Sequence, residues 1–173
     1  MKGKPLRKPP GLYAFTMGEN DWHHYKEWPG PIAKQTLSLN KLLASPSCDG
    51  GELALEQGLS EPVSYQYDPL DPVPTKGGAG MLAFILPDFE GSSPANVLQD
   101  GLCERQDVLT FVTSRLESSL LIAGKISVNL EVSSSAPDTS FTAKLIEVFA
   151  DGSAVNIRDN ITSLAYRDGG FNP

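Results

Sequence analysis

Apolar and polar residues alternate most regularly in the second half of the chain. Ile126, Val128, Leu130 and Val132 are separated from one another by single polar residues. This period of two predicts a half-buried β-strand over residues 125–132. An amphipathic helix does not fit there, because apolar residues at this spacing would be spread around the whole helix surface.

Other runs of apolar, β-branched and aromatic residues predict further short strands. These strands cover residues 12–17, 35–39, 52–55, 63–67, 107–113, 120–122, 141–149, 155–158 and 164–167. Asp151-Gly152 predicts a hairpin turn, whereas the aromatic-rich residues 18–31 predict a packed connector anchored by Trp22 and Trp28. About eight to ten short strands, with turn signals roughly every ten residues, predict an all-β sandwich or jelly roll.

The amino-acid composition and net charge narrow the classes of molecule that we expect the chain to bind. The chain has 173 residues, with 14 Pro and 16 Gly spread along it, which suits one domain of many short elements. Its net charge of −7 argues against a nucleic-acid partner. No stretch approaches the roughly 20 apolar residues that span a bilayer, and the N-terminus has no signal-peptide core. We therefore expect no nucleic-acid partner, no membrane partner and a cytoplasmic location.

The two cysteines, Cys48 and Cys103, leave two arrangements open, one disulfide bridge or two thiols. Since nothing in the sequence directs secretion, we expect two buried free thiols in a cytoplasmic protein. Asn160-Ile161-Thr162 matches the N-glycosylation pattern, but this pattern matters only for a secreted chain.

A search for catalytic chemistry finds no convincing nucleophile. Gly58-Leu59-Ser60-Glu61-Pro62 comes nearest to the hydrolase elbow Gly-x-Ser-x-Gly, but proline replaces its second glycine. Ser38-Leu39-Asn40-Lys41 has the spacing of a Ser-x-x-Lys nucleophile without the companion motif. His23 and His24 are adjacent, so on an extended segment they point to opposite sides and do not share a metal. The sequence therefore predicts no catalytic, cofactor-binding or metal-binding residue.

One segment resembles a known family. Tyr67-Asp-Pro-Leu-Asp-Pro-Val-Pro-Thr-Lys-Gly-Gly78 is similar to the hallmark of the C-terminal domain of X-Pro dipeptidyl-peptidases and cocaine-esterase-type acyl esterases. Segments within residues 17–29, 105–113 and 124–159 agree with that family in order and spacing. The family-motif or structural positions are Trp22, Trp28, Pro29, Asp68, Pro69, Asp71, Pro72, Pro74, Thr75, Gly77, Gly78, Asp107, Asp138, Thr139 and Phe141.

The resemblance implies a jelly-roll-like, galactose-binding-like β-sandwich packed against an α/β-hydrolase domain with a helical cap. Residues 1–34 would form an N-terminal arm and connector from the catalytic domain, and residues 35–173 the sandwich. The serine, aspartate and histidine of the parent serine hydrolases lie upstream of the matched region, so no catalytic residue is carried over. The expected function is to brace the catalytic domain and its substrate cleft.

The resemblance also implies an incomplete sandwich. Family domains continue past the region of Tyr166-Arg167 with strands that complete both sheets, so this chain is expected to lack the last strands. Unpaired sheet edges are unfavourable in a monomer. We therefore expect either a hydrolase domain or a second copy of the chain as partner, the latter forming a homodimer through exposed sheet edges.

The alternative function is a carbohydrate- or ligand-binding jelly-roll module. It would use exposed aromatic side chains, namely those of Trp22, Tyr25, Trp28, Tyr65 and Tyr67. We expect these rings instead to be buried at the contact with the catalytic domain.

Overall fold

A computed structural model describes residues 11–40, 48, 50–58, 61–78, 85 and 95–170 of the chain. The weak motifs around Lys41 and Ser60 lie partly outside these residues, as does most of the stretch between Gly78 and Gly101. Two compact units are present, Met1–Thr36 with Arg115–Ser127, and Leu37–Ser114 with Val128–Pro173. We call them unit 1 and unit 2 and describe each by itself.

Unit 1 contains an antiparallel hairpin. Strand β1 (Leu12–Thr16) pairs with β2 (Asp21–Tyr25). The turn between them closes with a hydrogen bond of 2.9 Å from the Asn20 amide to the Thr16 carbonyl. The prediction of a strand from residue 12 is confirmed, but the prediction of a connector is wrong for β2. Its sequence, Asp-Trp-His-His-Tyr, lacks apolar alternation because aromatic and histidine side chains occupy both faces.

The described residues of unit 2 form two sheets. In the first, β3 (Ser38–Asn40) runs antiparallel to β4 (Gly51–Ala54), which pairs in parallel with β5 (Phe111–Val112). In the second, β6 (Ser140–Val148) and β7 (Ala154–Ser163) form a long antiparallel hairpin with one register shift after Leu145. The hairpin turn predicted at Asp151-Gly152 is confirmed, since the Phe149 amide donates to the Ser153 carbonyl at 2.8 Å.

Short 3-10 turns at Leu102–Glu104 and Leu164–Tyr166 are the helical elements bounded within the described residues. The predicted all-β class is therefore confirmed, and the antiparallel hairpins are consistent with a β-sandwich. No helix in the described ranges is long and apolar enough to cross a membrane.

The most regular sequence pattern does not form a strand. Residues 120–122 and 125–132 have no strand assignment, and Ile126, Val128, Leu130 and Val132 are between 43% and 54% exposed. Alternation fixes which side chains share a face, but a strand also needs a backbone partner. No described segment pairs with these residues.

Two other strand predictions are wrong. Residues 63–67 have no strand assignment, although their apolar residues alternate. The last predicted strand, over residues 164–167, contains the 3-10 turn Leu164–Tyr166 instead. It follows directly on β7, and the Ala165 amide donates to Asp138 Oδ1 at 3.0 Å.

A disulfide joins Cys48 to Cys103 across 55 residues, with 4.8 Å between the two Cα atoms. The expectation of two free thiols is therefore wrong. The parallel pairing of β4 with β5 brings the chain before Gly51 close to the chain before Phe111. The Gly50 amide donates to Thr110 Oγ1 at 3.4 Å in this region. Proximity created by pairing between distant strands is not visible in the spacing of two cysteines.

Candidate functional site

The proline-rich segment, residues 67–78, begins with a tight turn. The Asp68 carbonyl accepts a hydrogen bond of 3.1 Å from the Asp71 amide, and Asp68 Oδ1 accepts one of 2.9 Å from the Leu70 amide. Aspartate at the first position and proline at the second suit this geometry, because the carboxylate binds the backbone and proline presets φ. The turn leaves the Leu70 side chain 93% exposed.

Arg105 fixes the start of the proline-rich segment. Its Nε and Nη2 atoms donate to the two carboxylate oxygens of Asp107 at 2.8 and 2.9 Å. Its Nη1 lies 3.3 Å from both carboxylate oxygens of Asp71, and Nη2 also donates to the Asp71 carbonyl at 2.7 Å. The planar guanidinium can hold two carboxylates at once, which an ammonium group does less well. Arg105 therefore ties the turn to the chain before β5.

The contact between Arg105 and its two aspartates favours the ionised forms of Asp107 and Arg105. Hydrogen bonds from Arg105 lower the pKa of Asp107, whose side chain is 8% exposed. Hydrogen bonds to Asp107 and Asp71 raise the pKa of Arg105. Burial, and secondarily the charge of Asp107, raises the pKa of Tyr65. Because the pKa of Asp107 is depressed in the folded state, its contribution to stability is present above its unfolded pKa and is lost as the pH falls through its folded pKa.

Two glycines with left-handed backbone end the proline-rich segment. Gly77 and Gly78 have φ values of 74° and 90°. A Cβ atom on Gly77 would lie 2.6 Å from the Ala95 carbonyl oxygen and 2.7 Å from Asn156 Oδ1, so only glycine fits there. Gly78 and Ala95 exchange backbone hydrogen bonds of 3.1 and 2.8 Å.

Asn156, in β7, lies at the centre of the contacts around Gly77 and is 2% exposed. Its Oδ1 accepts hydrogen bonds from the Val97 amide at 2.9 Å and from Gln99 Nε2 at 3.1 Å. Its Nδ2 donates to the Ala95 carbonyl at 3.1 Å. The Asn96 side-chain amide donates to the Asn156 carbonyl. One buried amide side chain thus organises residues 95–99 beside the end of the proline-rich segment.

Gln99 and Lys144 extend this network to β6. Gln99 Nε2 lies 3.3 Å from the Lys76 carbonyl, and Gln99 Oε1 accepts a hydrogen bond of 2.9 Å from Lys144 Nζ. Lys144 Nζ is also 3.4 Å from the Lys76 carbonyl. Burial lowers the pKa of Lys144, an effect that the charge of Asp159 opposes and that of Lys76 reinforces. The Lys76 carbonyl therefore connects the proline-rich segment to side chains of β6 and of the chain before Asp100.

The positions singled out from the sequence fall into three places. The first place is the proline-rich segment and its contacts. The turn, the Arg105 contact and the glycine end include Asp68, Pro69, Asp71, Gly77, Gly78 and Asp107. The intervening stretch, which has no strand assignment, includes Pro72, Pro74 and Thr75. Asp138, Thr139 and Phe141 lie at the start of β6, where the Leu164 amide donates to the Thr139 carbonyl at 3.0 Å. Trp22, Trp28 and Pro29 belong to unit 1. Sequence reasoning missed Gln99, Lys144 and Asn156.

The chemistry of this network is that of a fixed scaffold. Within the described ranges, no group of three or more His, Cys, Asp or Glu side chains is arranged to hold a metal ion. No buried side-chain nitrogen or oxygen in the same residues lacks a hydrogen-bond partner. The polar groups of Arg105, Gln99, Lys144 and Asn156 are directed at backbone carbonyls, amides and carboxylates. They hold the proline-rich segment at both ends.

Unit 1 presents a second feature, on one side of its hairpin. The register pairs Tyr13 with His24 and Phe15 with Trp22, so these four side chains share one face of the two strands. Their ring centroids lie 4.7 Å apart in the first pair and 5.5 Å apart in the second. All four are exposed, and Trp22 is 64% exposed. We call these four residues the aromatic face.

Comparison with known proteins identifies a family. The model of this family, described as the X-Pro dipeptidyl-peptidase C-terminal non-catalytic domain, matches residues 6–170. The cocaine esterase of Rhodococcus sp. (strain MB1 Bresler) is 38% identical to the chain over 167 residues. The matched region makes up 95% of the chain and 28% of the esterase, so the chain spans less than a third of that relative's length.

Proposed function

The chain belongs to the family of X-Pro dipeptidyl-peptidase C-terminal non-catalytic domains, and from this premise we propose that it braces a serine-hydrolase catalytic domain and helps to shape the rim of its substrate cleft. The catalytic domain would be an α/β-hydrolase domain, in the same polypeptide or on a separate chain. In this proposal, residues 1–34 form the connector from that domain and residues 35–173 the jelly-roll-like sandwich.

The observation that carries this proposal is the attachment of the proline-rich segment at both ends. Arg105 holds its first turn through Asp71, and the network around Asn156 holds its glycine end. Within this segment residues 67–72, 74 and 75 are exposed, and Leu70 in the first turn is 93% exposed. A brace needs an exposed surface of fixed shape, and prolines reduce the freedom that such a segment retains. The hydrogen bonds of Arg105 and Asn156 fix the shape of this surface.

A chimera tests the proposal. We expect that replacing the matched region of the Rhodococcus cocaine esterase with this chain preserves hydrolysis of p-nitrophenyl esters, and that the chain alone shows none. The esterase lacking its matched region is the control, and we expect its rate to be at least about tenfold below that of the chimera, because an unbraced cleft positions substrate less well. A chimera no more active than this control, or serine-dependent hydrolysis by the chain alone, would contradict the proposal.

We also propose a second copy of the chain as a partner. Strand β6 pairs with β7 along one edge, and its other edge pairs with no strand in the described residues. A strand of nine residues whose second edge pairs with no described strand is a template for pairing with another chain. We expect sedimentation velocity to show a dimer that dissociates on dilution, whereas a compact monomer throughout the micromolar range would contradict this proposal.

The cytoplasmic location expected from the sequence is not part of the proposal. That expectation came from the lack of a signal-peptide core, and it led to the prediction of two free thiols, whereas Cys48 and Cys103 form a disulfide. Disulfides persist mainly in oxidising compartments.

A further inference from the structure

The two faces of the β1–β2 hairpin differ in their surroundings. On the face opposite the aromatic face, Ala14, Thr16, His23 and Tyr25 are half-buried, and only the terminal residues Leu12 and Asp21 are exposed. Trp28 contacts Tyr25 with 5.1 Å between ring centroids. All four residues of the aromatic face are exposed. A two-stranded hairpin is only marginally stable in water unless other structure packs on it. The aromatic face is therefore the side on which a partner can still pack.

We propose that the aromatic face is the surface by which unit 1 docks on the catalytic part of the hydrolase. This inference rests on the proposed function, and it names the surface that would transmit the bracing. More than two thirds of the length of the related esterase lies outside the region that this chain matches. The comparison therefore indicates a protein partner with a large surface, namely the rest of the same polypeptide.

The side chains of the aromatic face fit a protein partner. Tyr and Trp are enriched at the energetically dominant centres of protein interfaces, where their rings fill pockets. Aromatic side chains bury about 150–250 Å² each. With about half of the Tyr13, Phe15 and Trp22 surfaces still exposed, docking would cover roughly 200–400 Å², a quarter to a half of the about 800 Å² that each partner contributes to a standard interface.

The same composition argues against a carbohydrate. Small-molecule sites combine apolar rings with a few convergent polar groups that fix orientation. The four positions of the aromatic face carry no carboxylate, carboxamide or guanidinium group. The nearby acidic groups are engaged elsewhere, since Glu19 contacts His23 at 2.9 Å and Asp21 accepts a hydrogen bond from the Trp22 amide.

Hydroxyl-radical footprinting tests the docking surface directly. We expect the oxidation rate of Trp22 to fall roughly tenfold from the free chain to the chimera with the esterase catalytic part. Leu121, which is also exposed and also in unit 1, is the control, and its rate should not change. Trp22 oxidised equally fast in both proteins would overturn the docking proposal. Protection of Trp22 in the free chain by added oligosaccharides, without protection in the chimera, would overturn it in favour of the binding module.

Substitutions complete the test. We expect Trp22→Ala and Phe15→Ala to shorten the half-life of the chimera's activity on heating about tenfold, and Leu121→Ala to leave it unchanged. Thermal unfolding of the free chain should be nearly the same for all three variants, because between 45% and 64% of each of these residues is exposed in it. Equal half-lives for all chimeras would contradict the docking surface. An inactive wild-type chimera would instead contradict the proposed function, since footprinting of Trp22 does not depend on activity.

Discussion

Reduction of the Cys48–Cys103 disulfide is expected to lower the free energy of unfolding by about 4 kcal/mol and the melting temperature by about 10 °C. The two cysteines are 55 residues apart. A cross-link of this span removes much of the conformational freedom of the unfolded chain, which gives the estimate. Cys103 also lies two residues before Arg105, so the bridge anchors the chain that holds the proline-rich segment.

Thermal unfolding with and without tris(2-carboxyethyl)phosphine measures this effect. The double variant Cys48→Ala, Cys103→Ala is the matched control, because it should unfold like the reduced wild-type chain and should not respond to the reductant. Thiol alkylation of the non-reduced, denatured chain gives an independent readout. Labelling of both cysteines there, or a reductant effect as large in the double variant as in the wild type, would show that the bridge does not stabilise the fold.

Local patterns predicted the hairpin of β6 and β7 most completely, because its two strands are close in sequence. Strands β6 and β7 are joined by a short turn, and Asp151-Gly152 provides the left-handed residue that this turn needs, with a φ of 86° at Gly152. The pairing of each strand is therefore decided by a few neighbouring residues. Strand β1 was predicted from a short apolar run bounded by glycines, although its partner β2 was not predicted as a strand.

Long-range pairing was beyond the sequence. The alternation from Ile126 to Val132 predicts which side chains share a face, but it does not specify which backbone pairs with them. The disulfide depends on the parallel pairing of β4 with β5, a contact between segments about 60 residues apart. In both cases a local pattern lacks information that only the whole fold contains.

The candidate site shows the same limit at the level of single residues. The resemblance identified Asp71, Gly77 and Asp107, but it did not explain what holds them. In the predicted strand over residues 155–158, Val155 and Ile157 are apolar, so the pattern places Asn156 on the solvent side. In the structure Asn156 is buried and its apolar neighbours are half-buried. A buried polar residue with several backbone partners is indistinguishable by sequence alone from an exposed one.

Replacing Asn156 by alanine is expected to lower the free energy of unfolding by about 3 kcal/mol. The change removes the acceptor of the Val97 amide and one donor to the Ala95 carbonyl. A buried amide left without a partner costs about 1–3 kcal/mol, and each lost hydrogen bond adds about 1 kcal/mol. Ala95 has a φ of 80°, which non-glycine residues rarely adopt, so weaker contacts there should release the neighbouring backbone.

Asn160→Ala is the matched control, because Asn160 lies in the same strand but is exposed, and its side chain bonds only to the adjacent Ile161 amide. We expect it to change stability by less than about 0.5 kcal/mol. Urea denaturation gives both free energies, and hydrogen exchange should show faster exchange of the Gly78 and Val97 amides in Asn156→Ala alone. Equal stability of the two variants would mean that the buried amide network does not hold the glycine end. Lost stability with unchanged exchange at Gly78 would mean that Asn156 supports β7 without fixing the proline-rich segment, and the brace would then depend on Arg105.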